Sequence, residues 1–290
     1  MPQNSNAANS GDQLKHALLA ELLMRCIDWP SLTYAETHAG AGIYSAAAQV
    51  PPCDHIVQLQ AKLQSSDETA TAGAGSAYAK LLSDWWDQSR RSLDYPGSVM
   101  QAATLLRSGR TDRVAAAIRV TEAEKDTHHR LQTATEVMGF QPRHGDFQDS
   151  IDWLTEKDSL VLLIAPFTYG EDPACVNQGR IDVGTLLRLL EPCGQKQRCV
   201  IAFWCATRCE VTRQLRHETD EHIREFVQRA GGVQRVFSAG DTGQFQITII
   251  GLGEGMNIVQ AIPEAAAWCE SWLGDVIQEK YDDHGTTLLA

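Results

Sequence analysis

Between residues 159 and 165 the chain reads Ser-Leu-Val-Leu-Leu-Ile-Ala, five large aliphatic residues in succession from Leu160 to Ile164. A strand with one wet face alternates apolar and polar residues. An unbroken apolar run of strand length belongs instead to a sheet covered on both faces, which is the habit of parallel sheets flanked by helices. Arg198–Trp204 repeats the pattern. Around these two runs, strand and helix signals alternate. Strands are expected at Leu32–Ala35, Val114–Val120, Gln141–His144, Ser159–Ala165, Arg198–Trp204, Val233–Phe237 and Phe245–Ile250. Helices are expected at Asp12–Ile27, from Ile43 to Gln49, at Lys125–Met138, Phe147–Leu154, Val183–Leu190 and Glu218–Ala230. The first of these carries Leu14, Leu18, Leu19, Leu22, Leu23 and Cys26 at helical spacing, with Asp12 placed to cap or open it and Trp29-Pro30 to end it. Such alternation implies a doubly wound α/β sheet. The last two strands have no helix between them, only Ser238–Gly243, so they form a hairpin that turns one strand antiparallel.

Residues 51–108 differ in texture. They open on Pro51-Pro52, hold an Ala/Gly/Thr/Ser-rich stretch from Thr69 to Ser76 that reads as a mobile loop, and contain helical segments at Asp54–Gln64, Tyr78–Arg90 and Val99–Arg107. Tyr95-Pro96-Gly97-Ser98 is a turn signal just before the last of these. The expected organisation is a disordered polar leader at 1–10, a main domain at 11–50 and 109–290, and a helical insertion at 51–108. The eight cysteines, at 26, 53, 175, 193, 199, 205, 209 and 269, form no Cys-x-x-Cys pair and have no His at zinc spacing, so no metal is expected. No apolar run reaches membrane-helix length and the N-terminus lacks a signal peptide's pattern, which gives a reduced, cytoplasmic protein without a membrane partner as the expectation. Twenty-five Lys+Arg against 37 Asp+Glu leave a net charge of −12, which opposes broad binding to a phosphate backbone.

The chemistry sits where strands end. Glu36-Thr37-His38-Ala39-Gly40-Ala41-Gly42 follows the first strand and precedes a helix-like segment. Glycines there let backbone approach a ligand closely, or simply make a tight turn. Glu122 ends the next strand, where a carboxylate can accept from a ribose diol or can favour the start of the following helix. Its separation from the glycine turn is far beyond the usual ~20 residues, an excess that the insertion explains. After the third strand, Gly145-Asp146-Phe147 can offer Asp146 to an adenine amine and Phe147 to its ring, or Asp146 can be a plain helix cap.

These segments, with Leu14-Lys15-His16, Tyr95-Pro96-Gly97-Ser98, Val120-Thr121-Glu122 and Ile164-Ala165-Pro166-Phe167, stand in an order that resembles the large-subunit (23S) ribosomal RNA adenine-N6 methyltransferase family (RlmJ type) over residues 11 to 275. The seven strands and terminal hairpin match the outline of its Rossmann-like class I sheet with a helical insertion. The resemblance implies S-adenosyl-L-methionine as cofactor, held by His16, His38, Gly40, Gly42, Ser98, Glu122 and the Gly145-Asp146 pair, whose order is reversed relative to the family. His16 and His38 would serve the methionine end. It implies methyl transfer to the exocyclic amine of adenine in RNA.

Two departures fall on the acceptor side. The family's catalytic Asp-Pro-Pro-Tyr is here Ala165-Pro166-Phe167-Thr168, with Tyr169 next. The missing carboxylate would hold the amine's N–H so that its lone pair faces the methyl group, while an aromatic stacks on the base. Ala165 accepts nothing. Phe167 or Tyr169 can still stack, the Pro166 carbonyl can still accept, and Glu171 and Asp172 are nearby in sequence. The family's aromatic and basic leader has no counterpart in Met1–Ser10. The readings are therefore an RNA adenine methyltransferase with a relaxed motif, a cofactor-binding relative that no longer methylates adenine, and a methyltransferase with a non-nucleic-acid acceptor. Arg107, Arg110 and Arg113 are the residues expected to meet RNA if it binds.

Overall fold

The structure, a computed structural model, describes residues 8–45, 54–65, 76–89, 94–109, 118–166, 168–169, 180–206, 210–239, 245–273 and 277–279. In chain order the strands are β1 (Thr33–Glu36), β2 (Ile43–Ser45), β3 (Asp94–Pro96), β4 (Ile118–Glu122), β5 (Arg143–His144), β6 (Ser159–Ile164), β7 (Thr168–Tyr169), β8 (Arg180–Ile181), β9 (Arg198–Ala206), β10 (Val233–Ala239), β11 (Phe245–Gly253) and β12 (Ile277–Glu279). The helices are α1 (Ser10–Cys26), α2 (Asp54–Ser65), α3 (Ser76–Ser89), α4 (Ser98–Gly109), α5 (Lys125–Glu136), α6 (Ile151–Thr155), α7 (Val183–Leu190), α8 (Glu210–Arg229), α9 (Gly255–Gln260) and α10 (Ile262–Leu273).

The main sheet runs β12-β10-β11-β9-β6-β1-β4-β5. From β9 to β5 its strands are parallel, and β11 lies antiparallel to both β9 and β10. This is the Rossmann-like class I sheet with its terminal hairpin. Among the described residues it gains an eighth strand, because β12 adds to the edge of β10. All six residues of β6 are buried. Its apolar run splits by alternation: Val161 and Leu163 face one apolar cluster with α1, α3 and α4, whereas Leu160, Leu162 and Ile164 face the other with α7 and α8. Each such side chain contributes about 1.5–3 kcal/mol of burial, which is why a polar interruption here would be so costly.

Several expectations need correction. Ile43–Ser45 is a strand rather than the start of a helix, because its partner Asp94–Pro96 lies some fifty residues away and pairs Tyr44 with Tyr95; residues 46–49 are outside the described ones. The Tyr95-Pro96 turn signal is correspondingly the end of β3. The cap of α1 is Asn9, whose side chain accepts from the Asp12 N–H, so Asp12 sits inside the first turn and pairs with Lys15 at 2.8 Å. Ala8 and Asn9 are therefore part of the fold, with Ala8 fully buried, while residues 1–7 of the expected leader are outside the described residues.

Helix α8 begins eight residues before its expected start. Its sheet-facing stripe is apolar at Ile223, Phe226 and Val227 but polar one turn earlier, at Arg216, Thr219 and Asp220, all buried. That polar stretch is tolerated because it is matched. Arg216 donates from Nε to Asp220 Oδ1 (2.9 Å), from Nη1 to Cys205 Sγ (3.2 Å) and from Nη2 to Thr248 Oγ1, and its guanidinium lies 4.3 Å from the Phe203 ring centroid. Gln246 completes the set by donating to Asp220 Oδ2 (2.7 Å). Cys26, Cys193, Cys199 and Cys205 are free, buried thiols, and burial pushes Cys26 up to about 12. Cys53, Cys175 and Cys209, the 69–75 loop, residues 114–117 and the turn at 240–243 lie outside the described residues. No helix among the described residues is long and apolar enough to cross a membrane.

Candidate functional site

The parallel strands β5, β4, β1 and β6 are neighbours, so the segments that follow their C-terminal ends meet along one edge of the sheet. Those segments are Gly145-Asp146, Ala123-Glu124, the Thr37–Gly42 turn and Ala165-Pro166. Open α/β sheets bind ligands along this edge. The glycine turn is stitched to both flanking strands: Thr37 N–H donates to the Leu163 carbonyl (3.2 Å), Ala39 N–H to the Thr121 carbonyl (3.0 Å), and Thr121 Oγ1 to the Thr37 carbonyl (2.8 Å).

Glu122 closes that arrangement. Its Oε2 accepts from Gly40 N–H and its Oε1 from Glu124 N–H, both at 2.9 Å. It is not the helix cap: Glu124 caps α5, accepting from the Asp126 and Thr127 N–H groups. Burial raises the Glu122 pKa, against the pull of those backbone donors. The Ala123 N–H bonds this carboxylate as well, so of the four lone-pair sites on its two oxygens one stays open for a further donor.

Gly40 and Gly42 both take positive φ, 64° and 76°. Their need for glycine has a source within the chain. A Cβ on Gly40 would overlap the Tyr44 hydroxyl, and one on Gly42 would press on Leu131 at 3.0 Å. The turn is therefore built by Tyr44 and α5, and a ligand is not required to explain it.

His38 lies on this turn with Nδ1 bonded to Thr37 Oγ1 (2.7 Å) and its ring 4.9 Å from that of Phe147. Its Nε2 is buried without a hydrogen-bond partner, and burial lowers its pKa to about 4, so the imidazole is neutral. Phe147 is buried in the cluster with Ala35 and Leu154. It packs on His38, a correction to its expected use as a free platform for an adenine ring. Asp146 is exposed and caps the short 3₁₀ turn Phe147–Ser150 through Gln148 N–H (2.9 Å), while Gly145, at φ 138°, has open space where a Cβ would lie.

His16 and Ser98 reach the edge from the helices covering it, and both are internally engaged. His16 Nδ1 meets the Tyr95 hydroxyl at 2.6 Å. Ser98 donates to Glu36 Oε1 (2.6 Å), and Tyr34 donates to Glu36 Oε2 (2.7 Å). Glu36 is a residue that the motif contained but that was not assigned to the site. It is 1% exposed, and burial drives its pKa up to about 7, with Ser98, Tyr34 and Lys15 opposing the rise. Its position as the last residue of a strand before a glycine turn was the available signal.

On the acceptor side, Ala165 is half-buried and Pro166 buried at the end of β6. Ala165 and Trp204, one strand over, pack against the same cluster. Lys15 Nζ lies 4.7 Å from the Trp204 ring centroid, and Phe245 stacks on Trp204 at 6.2 Å. Tyr169 lies in the two-residue strand β7, paired with Ile181 of β8. Phe167, Glu171, Asp172, Arg110 and Arg113 are outside the described residues. Arg107 is exposed and its Nη1 approaches Met138 Sδ at 3.8 Å.

No family model and no curated protein matches the sequence. Among solved structures, protein LPL1258 of Legionella pneumophila, of family model DUF519, superposes with a TM-score of 0.67 at 16% identity, over 94% of this chain and 97% of that one. SMU.472, crystallised with SAH, scores 0.34 at 10% identity over 85% of this chain and 55% of its own. A predicted N6-adenine-specific DNA methylase from Listeria monocytogenes scores 0.28 at 13% identity over 68% and 45%. Overlays as loose as the last two carry no weight for the chemistry. The chain shares with LPL1258 one fold along nearly the whole length of both.

Proposed function

We propose that this chain is a methyltransferase that binds S-adenosyl-L-methionine along the β5-β4-β1-β6 edge. The observation that carries this is Glu122: a carboxylate at the end of β4 that holds the glycine turn through Gly40 N–H and keeps lone-pair capacity for a ribose hydroxyl. The other donors and acceptors fit the same group. His38 Nε2 is buried and unpaired, and the space beside Gly145 is open for a purine. When bound, S-adenosyl-L-methionine supplies an electrophilic methyl group on a sulfonium centre. The exocyclic amine of adenine in 23S ribosomal RNA is the acceptor that the family resemblance implies. A different acceptor, or binding without transfer, is favoured by one observation, that Ala165 places no hydrogen-bond acceptor where an amine would be held. Residues 51–108 serve in this reading as an insertion covering the site, and the compartment that goes with it is the cytoplasm.

Calorimetry with S-adenosyl-L-methionine tests the premise, and absence of binding at millimolar ligand ends it. Methyl transfer from labelled cofactor to unmodified large-subunit RNA then separates the adenine reading from the others. Glu122→Ala is expected to weaken cofactor binding by about 1.5–3 kcal/mol, the worth of hydrogen bonds to a charged group. Unchanged affinity would make Glu122 only a fastener of the turn.

A further inference from the structure

Tyr78 of α3, Tyr95 of β3 and His16 of α1 form a buried chain of hydroxyls and imidazole. The Tyr78 and Tyr95 hydroxyl oxygens are 2.9 Å apart, and Tyr95 Oη is 2.6 Å from His16 Nδ1. The two tyrosines are 0% exposed and the histidine 3%.

The protons in this chain can be placed by acidity. A phenol, with a pKa of about 10, is a far stronger acid than a neutral imidazole N–H, and an imidazole nitrogen is a stronger base than a phenol oxygen. The short link is therefore O–H···N, with Tyr95 donating to His16 Nδ1. That uses the one proton of Tyr95, so Tyr78 and the Gln101 amide, which also bonds this hydroxyl, must both be donors to it. His16 is held neutral, its pKa lowered by burial and further by the neighbouring Lys15 ammonium. A neutral imidazole that accepts at Nδ1 carries its proton on Nε2. Among the described residues the hydrogen bond of this ring is the one at Nδ1, which leaves the Nε2–H for another acceptor. Its middle member lies close to the glycine turn, since Tyr95 pairs with Tyr44, whose hydroxyl lies over Gly40.

We infer that Tyr78 and Tyr95 are positioning residues that lock His16 as an Nε2–H donor for an anionic group, the carboxylate of the cofactor's amino-acid end. The inference rests on the S-adenosyl-L-methionine reading. Of the groups at that molecule's amino-acid end, the ammonium and sulfonium are cationic and only the carboxylate calls for a donor. Tyr78 and Tyr95 thereby act on cofactor affinity without touching cofactor.

Two measurements on the full chain test this. Nitrogen-15 NMR of labelled histidines in the ligand-free protein should show His16 protonated on Nε2, and an Nδ1–H tautomer would overturn the relay. Calorimetry should compare S-adenosyl-L-methionine with its decarboxylated analogue. The wild type is expected to prefer the carboxylate-bearing ligand roughly 10- to 100-fold. Tyr95→Phe should lower affinity for it about three- to tenfold, and Tyr78→Phe about two- to threefold, with affinity for the analogue changed by less than about twofold in both. Equal losses for both ligands would reduce the tyrosines to packing and overturn the inference. Failure of the wild type to bind either ligand would overturn the cofactor reading and the carboxylate assignment with it, while the tautomer still decides the relay.

Discussion

Ala165→Asp is expected to raise methyl transfer to adenine in unmodified large-subunit RNA by about 10²–10⁴-fold, the range that a positioned proton acceptor contributes. The exocyclic amine of adenine is a weak nucleophile because its lone pair is delocalised into the ring. An acceptor on its N–H turns that lone pair toward the methyl group, and the amine's proton must leave as the new bond forms. The end of β6 can take the carboxylate: Ala165 is half-buried, not enclosed, and the buried Pro166 fixes the backbone after it. Incorporation of labelled methyl into RNA is the readout, with cofactor affinity measured alongside. A variant that binds cofactor normally yet stays as silent on RNA as its parent would remove adenine as the acceptor and leave the remainder of the site standing.

The second large effect concerns Glu36. With both oxygens engaged by Ser98 and Tyr34, the carboxyl has a pKa of about 7 because burial penalises its charge more than its partners and Lys15 reward it. The folded value lies above the unfolded one, near 4.5. Below pH 4.5 the group is protonated in both states and its contribution is complete. As pH rises toward 7, the unfolded chain ionises first, and folding loses stability until the folded group ionises too. A shift of roughly two and a half pH units corresponds to about 3 kcal/mol. Glu36→Gln is expected to abolish this loss, so the stability difference between variant and parent should change by about 3 kcal/mol in the variant's favour from pH 4.5 to pH 8. Urea unfolding of both proteins at the two pH values measures it. His38, whose pKa is shifted the other way, cancels in that comparison. Parallel stability curves would show that Glu36 titrates normally.

What could be read from the sequence followed local pattern. The apolar runs of β6 and β9 required a sheet covered on both faces, and the strand–helix alternation around them implied that it is parallel and doubly wound. The candidate residues Gly40, Glu122 and Gly145 were found the same way, since each stands where a strand stops, whereas Glu36 at the end of β1 was passed over. The illegible parts depend on partners distant in the chain. The three residues of β2 have no strand signal without Asp94–Pro96 opposite them. The first turns of α8 read as a solvated segment because Arg216, Thr219 and Asp220 break its apolar period, although they face inward. Likewise, a lone histidine at 16 says nothing of a tyrosine 79 positions away.

The central strand β1 has β4 and β6 as its only neighbours in the sheet, and neither is close in the chain. Gly40 and Glu122, whose bond ties the glycine turn to β4, are 82 residues apart. At roughly 5–20 residues a second, a ribosome needs several seconds to deliver the second after the first. For that interval β1 has emerged with both edges unpaired, while α1, α3 and α4 can already assemble from nearby sequence. The helices that pack on one face of β1 in the finished protein are thus also its first shelter, and β1 depends on them until its neighbours are made.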